Sequence, residues 1–402
     1  MKGQVSSGFE AVEKAFRENF ESRGEIGASC CVTVDGEVVA DLWGGVADQK
    51  TGRDWDEDTV SIVFSATKGA TAICAHHLIE KGAFSLATPV SEIWPEFGRG
   101  AKASATVRMM LDHTVGVPVI REKLKSGGIY DWDYMCQRLA DEEPFWQPGE
   151  RGGYHGLTFG WTVGELVRRA SGKSLGAYFR DEIAGPLGID FWIGLPEEIE
   201  PRVAPMIFRR HQPGDPQPLF LEVGMNQPGS IPHLFLFNSG GFLAHGCNTR
   251  EGHAAELGGA GGITNGRGLA LMYRPFANGG AWNGVELVGA DTLATMSEVS
   301  AASNRDATLQ IPVRFGPGFM KSMDHRALNV EGAIMGAEAF GHVGAGGSLG
   351  FADPANRISF GYTMNRMGDG LLLNDRGQAL VDAVYKSLGG MEIRGGGWRP
   401  AA

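Results

Sequence analysis

The 402-residue sequence predicts a mixed α/β chain of the α+β kind, with one antiparallel sheet and an inserted, mainly helical subdomain. Three observations carry that prediction. Residues 26–34 and 37–44 alternate in character around Asp35-Gly36, a hairpin signature. Residues 340–351 and 357–364 again read as strands, flanking a turn at Asp353-Pro354-Ala355-Asn356. Helical patterns at about 8–23 and 376–388 lie outside these strand pairs, and most of the remaining helical signal lies between them. The sheet is therefore expected to be built from both ends of the chain. An α/β domain covers 1–85 and 280–402, and a helical domain covers 86–279.

Each element has a local reason. Phe9, Val12, Phe16 and Phe20 form one apolar side of the opening helix. A polar connection, Asp54 to Thr59, leads to Ser61-Ile-Val-Phe-Ser65-Ala-Thr-Lys68, the start of a helix in which Ala72, Ile73, Ala75, Leu78 and Ile79 are the apolar positions. Gly82 is placed to stop it. A turn and short helix follow at 87–94, then a helix at 105–111 and another from about Thr158 to Ser171. Eight prolines between Pro196 and Pro232 forbid long helices there. That stretch, with its scattered Phe208, Phe220, Phe235 and Phe237, reads equally as a lid over an acyl pocket or as a packed surface loop. Thr264 and Asn265 are capping residues for a helix at 266–278, and Gly389-Gly390 ends the last helix.

Composition narrows the function. The formal charge of −11, with no long basic run, argues against nucleic acid and anionic membranes as partners. Five widely spread cysteines with no Cys-x-x-Cys read as free thiols in a reducing compartment. No segment has the apolar length of a signal core or a membrane span, so a cytoplasmic location is expected. No metal-ligand spacing, P-loop or dinucleotide motif occurs, and no cofactor is expected. His76 and His77, being adjacent on a helix, point apart. The expected partner is a small molecule; a homo-oligomer is compatible with the sequence.

The chemistry concentrates at Ser65-x-x-Lys68. One helical turn separates the two side chains, so both fall on one face. A serine at a helix N-terminus meets unpaired N–H groups, and a desolvated lysine beside it can accept a proton. The spacing alone more often marks a serine N-cap followed by a solvated lysine, so the rest of the chain has to carry the functional reading. Three further motifs follow in order: Leu111-Asp-His113-Thr114-x-Gly116-x-Pro118, Pro148-Gly149-Glu150 before Tyr154, and His342-x-Gly344.

Together these four motifs resemble the serine β-lactamase-like superfamily, across about residues 10–390. Within it the chain is most similar to the family VIII carboxylesterases. The resemblance implies a β-lactamase/transpeptidase-like fold, with the site between the two domains. It implies Ser65 as nucleophile and Lys68 as its base, alone or jointly with Tyr154, which relays the proton to the leaving group. It also implies an oxyanion hole from the N–H groups of Ser65 and Ala345, with Gly344 leaving room for the acyl carbonyl. Two departures from the class C pattern stand out. Gly156 occupies the place of an asparagine, and His342-Val343-Gly344 replaces Lys-Thr-Gly. Both favour esters over β-lactams, and His342 is expected to tune Tyr154 by a hydrogen bond in preference to capping a strand. His113 is expected to be structural. The expected activity is hydrolysis of small or short-chain acyl esters through a Ser65 acyl-enzyme. The alternatives of the same fold are a β-lactamase, a D-aminopeptidase or amidase, or an acyltransferase.

A second serine signature, Gly346-Gly-Ser348-Leu-Gly350, fits the nucleophile elbow of another hydrolase class. That elbow needs a following helix and a later histidine. No histidine follows His342, so Ser348 reads as a glycine-rich strand residue.

Overall fold

In the computed structural model, which describes every residue except 209–216, 244, 329, 331, 369 and 402, the two ends of the chain meet in a ten-stranded antiparallel sheet. Its strands are β1 (Lys2–Val5), β2 (Gly27–Val34), β3 (Glu37–Asp48), β4 (Ala301–Ser303), β5 (Val313–Gly316), β6 (Phe319–Lys321), β7 (Phe340–Val343), β8 (Leu349–Asp353) and β9 (Ile358–Met364). They lie in the order β1-β3-β2-β9-β8-β7-β6-β5-β4, and the short strand Arg53–Asp54 pairs with β3. Asp35 and Gly36 both take positive φ, as a two-residue hairpin turn between twisted strands requires. The join between the chain ends is β2 against β9, with Val32 opposite Phe360. Residues 340–351, expected as a single strand, are instead the hairpin β7–β8. The positive φ of Gly346 and Gly347 turns the chain there.

The helices that position the site are α1 (Glu10–Ser22), α2 (Thr67–Glu80), α3 (Trp132–Asp141), α4 (Phe159–Ser171), α5 (Leu219–Asn226), α6 (Ile231–Phe237), α7 (Gly266–Ala277) and α8 (Asp375–Ser387). Successive residues of β8 show how they layer. Gly350 faces Tyr273 and Leu269 of α7, whereas Phe351 stacks on Tyr385 of α8. Neighbouring strand residues point to opposite faces, so α7 covers one side of the sheet and α8, packed with α1, the other. α7 thus lies on the sheet, although it falls inside the span 86–279. α2 packs on α4, although it precedes that span.

Every residue of α2 from Thr67 to Leu78 is buried, not one face alone. Small residues (Gly69, Ala70, Ala72, Ala75) let neighbours close around it on every side. Among the described residues the Pro-rich stretch forms no long helix. Pro218 caps α5, Pro232 sits in the first turn of α6, and Pro213 and Pro216 lie outside the described residues. All five cysteines are buried free thiols. Among the described residues no helix is long and apolar enough to cross a membrane.

One buried ion pair ties the two ends of the chain. Arg376 of α8 donates to Glu25 Oε1 at 2.7 Å, and the Tyr362 hydroxyl of β9 donates to Glu25 Oε2. Burial raises the Glu25 carboxyl above its usual range even with Arg376 beside it. Removing the guanidinium leaves that carboxyl buried without its cation. Arg376→Met is therefore expected to cost about 3–5 kcal/mol of stability. Urea unfolding would check this, and an unchanged midpoint would contradict it.

Candidate active site

The turn before α2 is held from two sides. Residues Phe64–Ala66 form a single 3₁₀ turn, and Phe64 takes φ 43°, an uncommon conformation for a bulky side chain. Val63 N–H donates to Gly262 O at 2.9 Å, and the Ser348 hydroxyl donates to Val63 O at 2.8 Å. The Thr67 hydroxyl donates to Phe64 O at 2.5 Å and accepts from Gly262 N–H at 2.8 Å. These bonds fix Ser65 at the mouth of α2, lining a cavity of about 230 Å³.

Lys68 is fully buried one turn on. Its Nζ lies 3.0 Å from Ser65 Oγ, 2.6 Å from Gly156 O and 2.7 Å from Gly259 O. Among the described residues no carboxylate neutralises it there, and desolvation holds the amine well below the usual lysine range. In the neutral amine the two N–H groups serve the two carbonyls, which leaves the lone pair facing the Ser65 hydroxyl. In that form the lone pair is placed to accept a proton from the hydroxyl.

Tyr154 completes the group, with its ring centroid 4.7 Å from Lys68 Nζ. Its backbone N–H donates to both oxygens of the buried Asp306, at 3.1 and 2.9 Å, and Asp306 also accepts from the N–H groups of Thr308 and Leu309. Burial pushes the phenol above its usual range, and its contact with the Ser65 side chain partly opposes that. The phenol therefore keeps its proton at neutral pH.

His113 and His155 support this corner. Val117 N–H donates to His155 Nε2, and His155 N–H donates to His113 Nδ1, each at 3.1 Å. The His113 ring packs between Tyr154 and Phe315. Burial pulls His155 down to about 3 and His113 well below the usual histidine range, so both rings are neutral. His113 is a packed turn residue, as its sequence context suggests.

His342 departs from expectation. Its Nδ1 donates to Val343 O at 2.7 Å, its ring sits 6.0 Å from that of Tyr154, and no hydrogen bond joins the two. Nε2 is buried without a partner among the described residues. Side chains alternate along β7, so Val343 lines the cavity while His342 points inward. Gly344 contributes by lacking a side chain: a Cβ there would collide with Val63 O and Ser348 Oγ. That close approach brings Ala345 to the cavity wall beside Ser65. Among the described residues, neither the Ser65 nor the Ala345 N–H donates to another group. Ser348 itself is buried, and its hydroxyl is spent on Val63.

The cavity wall is otherwise apolar. Phe208, Phe220 and Leu221 come from the Pro-rich stretch, Phe235 and Leu236 from α6 and Leu243 from the loop after it; Leu309, Met320, Met367 and Leu371 come from the sheet side. Among the described residues no charged side chain lines it. Among the described residues of 196–232, Phe208 and α5 line this cavity, with α6 beyond them. Sequence reasoning missed Asp306 and the two carbonyls that receive Lys68. Asp306 carried only a local turn signal, and a carbonyl carries none, because every residue has one.

Comparison with known proteins shows the family and the fold. Residues 12–384 match the Beta-lactamase family model. The esterase/beta-lactamase LipL of Mycobacterium tuberculosis is 32% identical over 383 residues, 93% of this chain and 85% of that protein. A family VIII carboxylesterase crystal structure superposes with a TM-score of 0.82 at 34% identity, over 96% of this chain and 100% of the other. A penicillin-binding protein homolog from Caulobacter crescentus gives 0.83 at 32% identity, over 96% and 99%.

Proposed function

The chain belongs to the Beta-lactamase family, and from that premise we propose that it is a serine carboxylesterase acting on small, uncharged acyl esters. The observation that carries this reading is the cavity around Ser65, Lys68 and Tyr154, which among the described residues offers apolar walls and no cation. A β-lactam antibiotic brings a carboxylate, and burying that charge without a partner is costly. A neutral ester meets no such penalty.

In the proposed mechanism, Lys68 Nζ takes the proton of Ser65 Oγ as Oγ bonds to the ester carbonyl carbon. The C=O electron pair moves onto oxygen, facing the N–H groups of Ser65 and Ala345. Collapse breaks the bond to the alkoxy oxygen, which receives a proton from Lys68 relayed through the Tyr154 phenol. Water then repeats the sequence on the acyl-enzyme, releasing the acid and restoring Ser65.

Parallel assays of a p-nitrophenyl butyrate and a chromogenic cephalosporin test the reading. We expect kcat/KM for the ester to exceed that for the cephalosporin by at least about a thousandfold, the scale on which a site rejects a group it leaves unpaired. The reverse preference would place the chain on the amide-cleaving branch of the family.

A further inference from the structure

We propose that Phe235 determines which acyl chains the site accepts, by closing a second apolar recess off from the catalytic cavity. The inference rests on the esterase reading. Phe235 and Leu157 line both spaces. On one side of the Phe235 ring is the cavity that holds Ser65 and Tyr154. On the other is a recess of about 20 Å³ among Val119, Ile120, Leu124, Ile129, Trp161 and Leu234. The two polar side chains at the recess are already bonded. The Thr158 hydroxyl donates to Pro118 O, and Asn238 donates to Ile120 O and Glu122 O while accepting from Leu124 N–H. The recess therefore presents a hydrocarbon surface. By itself it has room for little more than one water; joined to the volume of the ring it would lengthen the cavity.

The ring is held in place. Phe220 of α5 packs edge-on against it at 5.5 Å, and Ser230 caps α6 at its start. Asn238, just past the end of α6, ties the helix to residues 120–124. The fourth constraint is Gly156, where any Cβ would collide with the Phe235 ring. Gly156 also gives its carbonyl to Lys68, so the partition stands directly against the catalytic lysine. The acyl group is the part of the substrate that stays bonded to Ser65 while the alcohol departs. An enclosed recess suits the part that stays.

The test is a series of p-nitrophenyl esters from acetate to decanoate, with wild type, Phe235→Ala, Gly156→Ala and the double variant. Wild type should favour the short end. Phe235→Ala should raise kcat/KM for the octanoate and decanoate at least about tenfold relative to acetate, the effect of a few methylenes gaining a pocket. Butyrate esters of methanol through octanol should show no such shift. Gly156→Ala should lower kcat/KM on every ester, and Phe235→Ala should restore it in the double variant. Thermal unfolding checks that each variant folds, and Phe235→Val replaces Phe235→Ala if that variant does not. An unchanged acyl profile, a shift confined to the alcohol series, or no rescue of Gly156→Ala would each overturn the proposal. Failure of wild type to cleave any ester of either series would instead overturn the esterase reading.

Discussion

Ser65→Ala should abolish ester hydrolysis, lowering kcat by about 10⁴-fold or more while leaving thermal unfolding close to wild type. The loss should be this large because Ser65 carries the bond that forms. The remaining groups, the N–H pair and the apolar walls, can bind an ester but cannot accept its acyl group. The fold should survive because Ser65 is partly exposed, at the mouth of α2, and an alanine fits the same turn. Ser348→Ala gives the contrast. Its hydroxyl holds Val63 in place and faces no substrate, so its loss should weaken turnover modestly and leave acyl-enzyme formation intact. Trapping the acyl-enzyme by mass spectrometry separates the cases. A labelled Ser348, or full activity in Ser65→Ala, would sink the assignment of Ser65.

Lys68→Ala should lower kcat about 10³-fold or more, and Lys68→Arg should do no better. The arginine arm carries the argument. If the site needed only a positive charge near Ser65, a guanidinium would serve; if it needs a proton acceptor, a group that stays protonated at every accessible pH cannot. Tyr154→Phe should also lose orders of magnitude, because the raised phenol is placed to relay a proton. Wild-type kcat/KM should rise with pH as Lys68 sheds its proton, with an inflection well below the ordinary lysine range. The same shift has a sign in stability. The unfolded chain binds the Lys68 proton more tightly than the folded one, so folding is opposed at low pH. That opposition fades as pH rises from the folded value toward the unfolded value of about 10.4. Wild-type stability measured against Lys68→Ala should therefore climb across that window. A flat difference, or an active Lys68→Arg, would show that Lys68 is not the base.

Much of this protein is written locally. The Asp35-Gly36 turn, the alternation of 26–44 and 357–364 and the amphipathic patterns of α1, α4 and α8 depend on neighbours in sequence, so a reading of the chain finds them. The order of Ser65, Lys68, Tyr154 and His342 likewise places the chain in its family, because each motif is short and self-contained. The misreadings share one cause. Residues 340–351 read as one strand because glycine-rich turns and glycine-rich strands look alike until pairing is known. His342 was given to Tyr154 because both lie in motifs, yet the pleat of β7 turns it inward.

The turns at 35–36 and 353–356, the main helices and the residue types that chemistry at Ser65 would use are legible in the chain alone. Only the tertiary structure decided what surrounds them. Lys68 meets two carbonyls and, among the described residues, no carboxylate; Tyr154 is held by Asp306, more than a hundred residues away; and Phe235 fills the notch left by Gly156. The physical reason is that a backbone turn is set by torsions a few residues long. The proton affinity of a lysine and the shape of a cavity are set instead by everything that excludes water from them, and those groups come from distant parts of the chain.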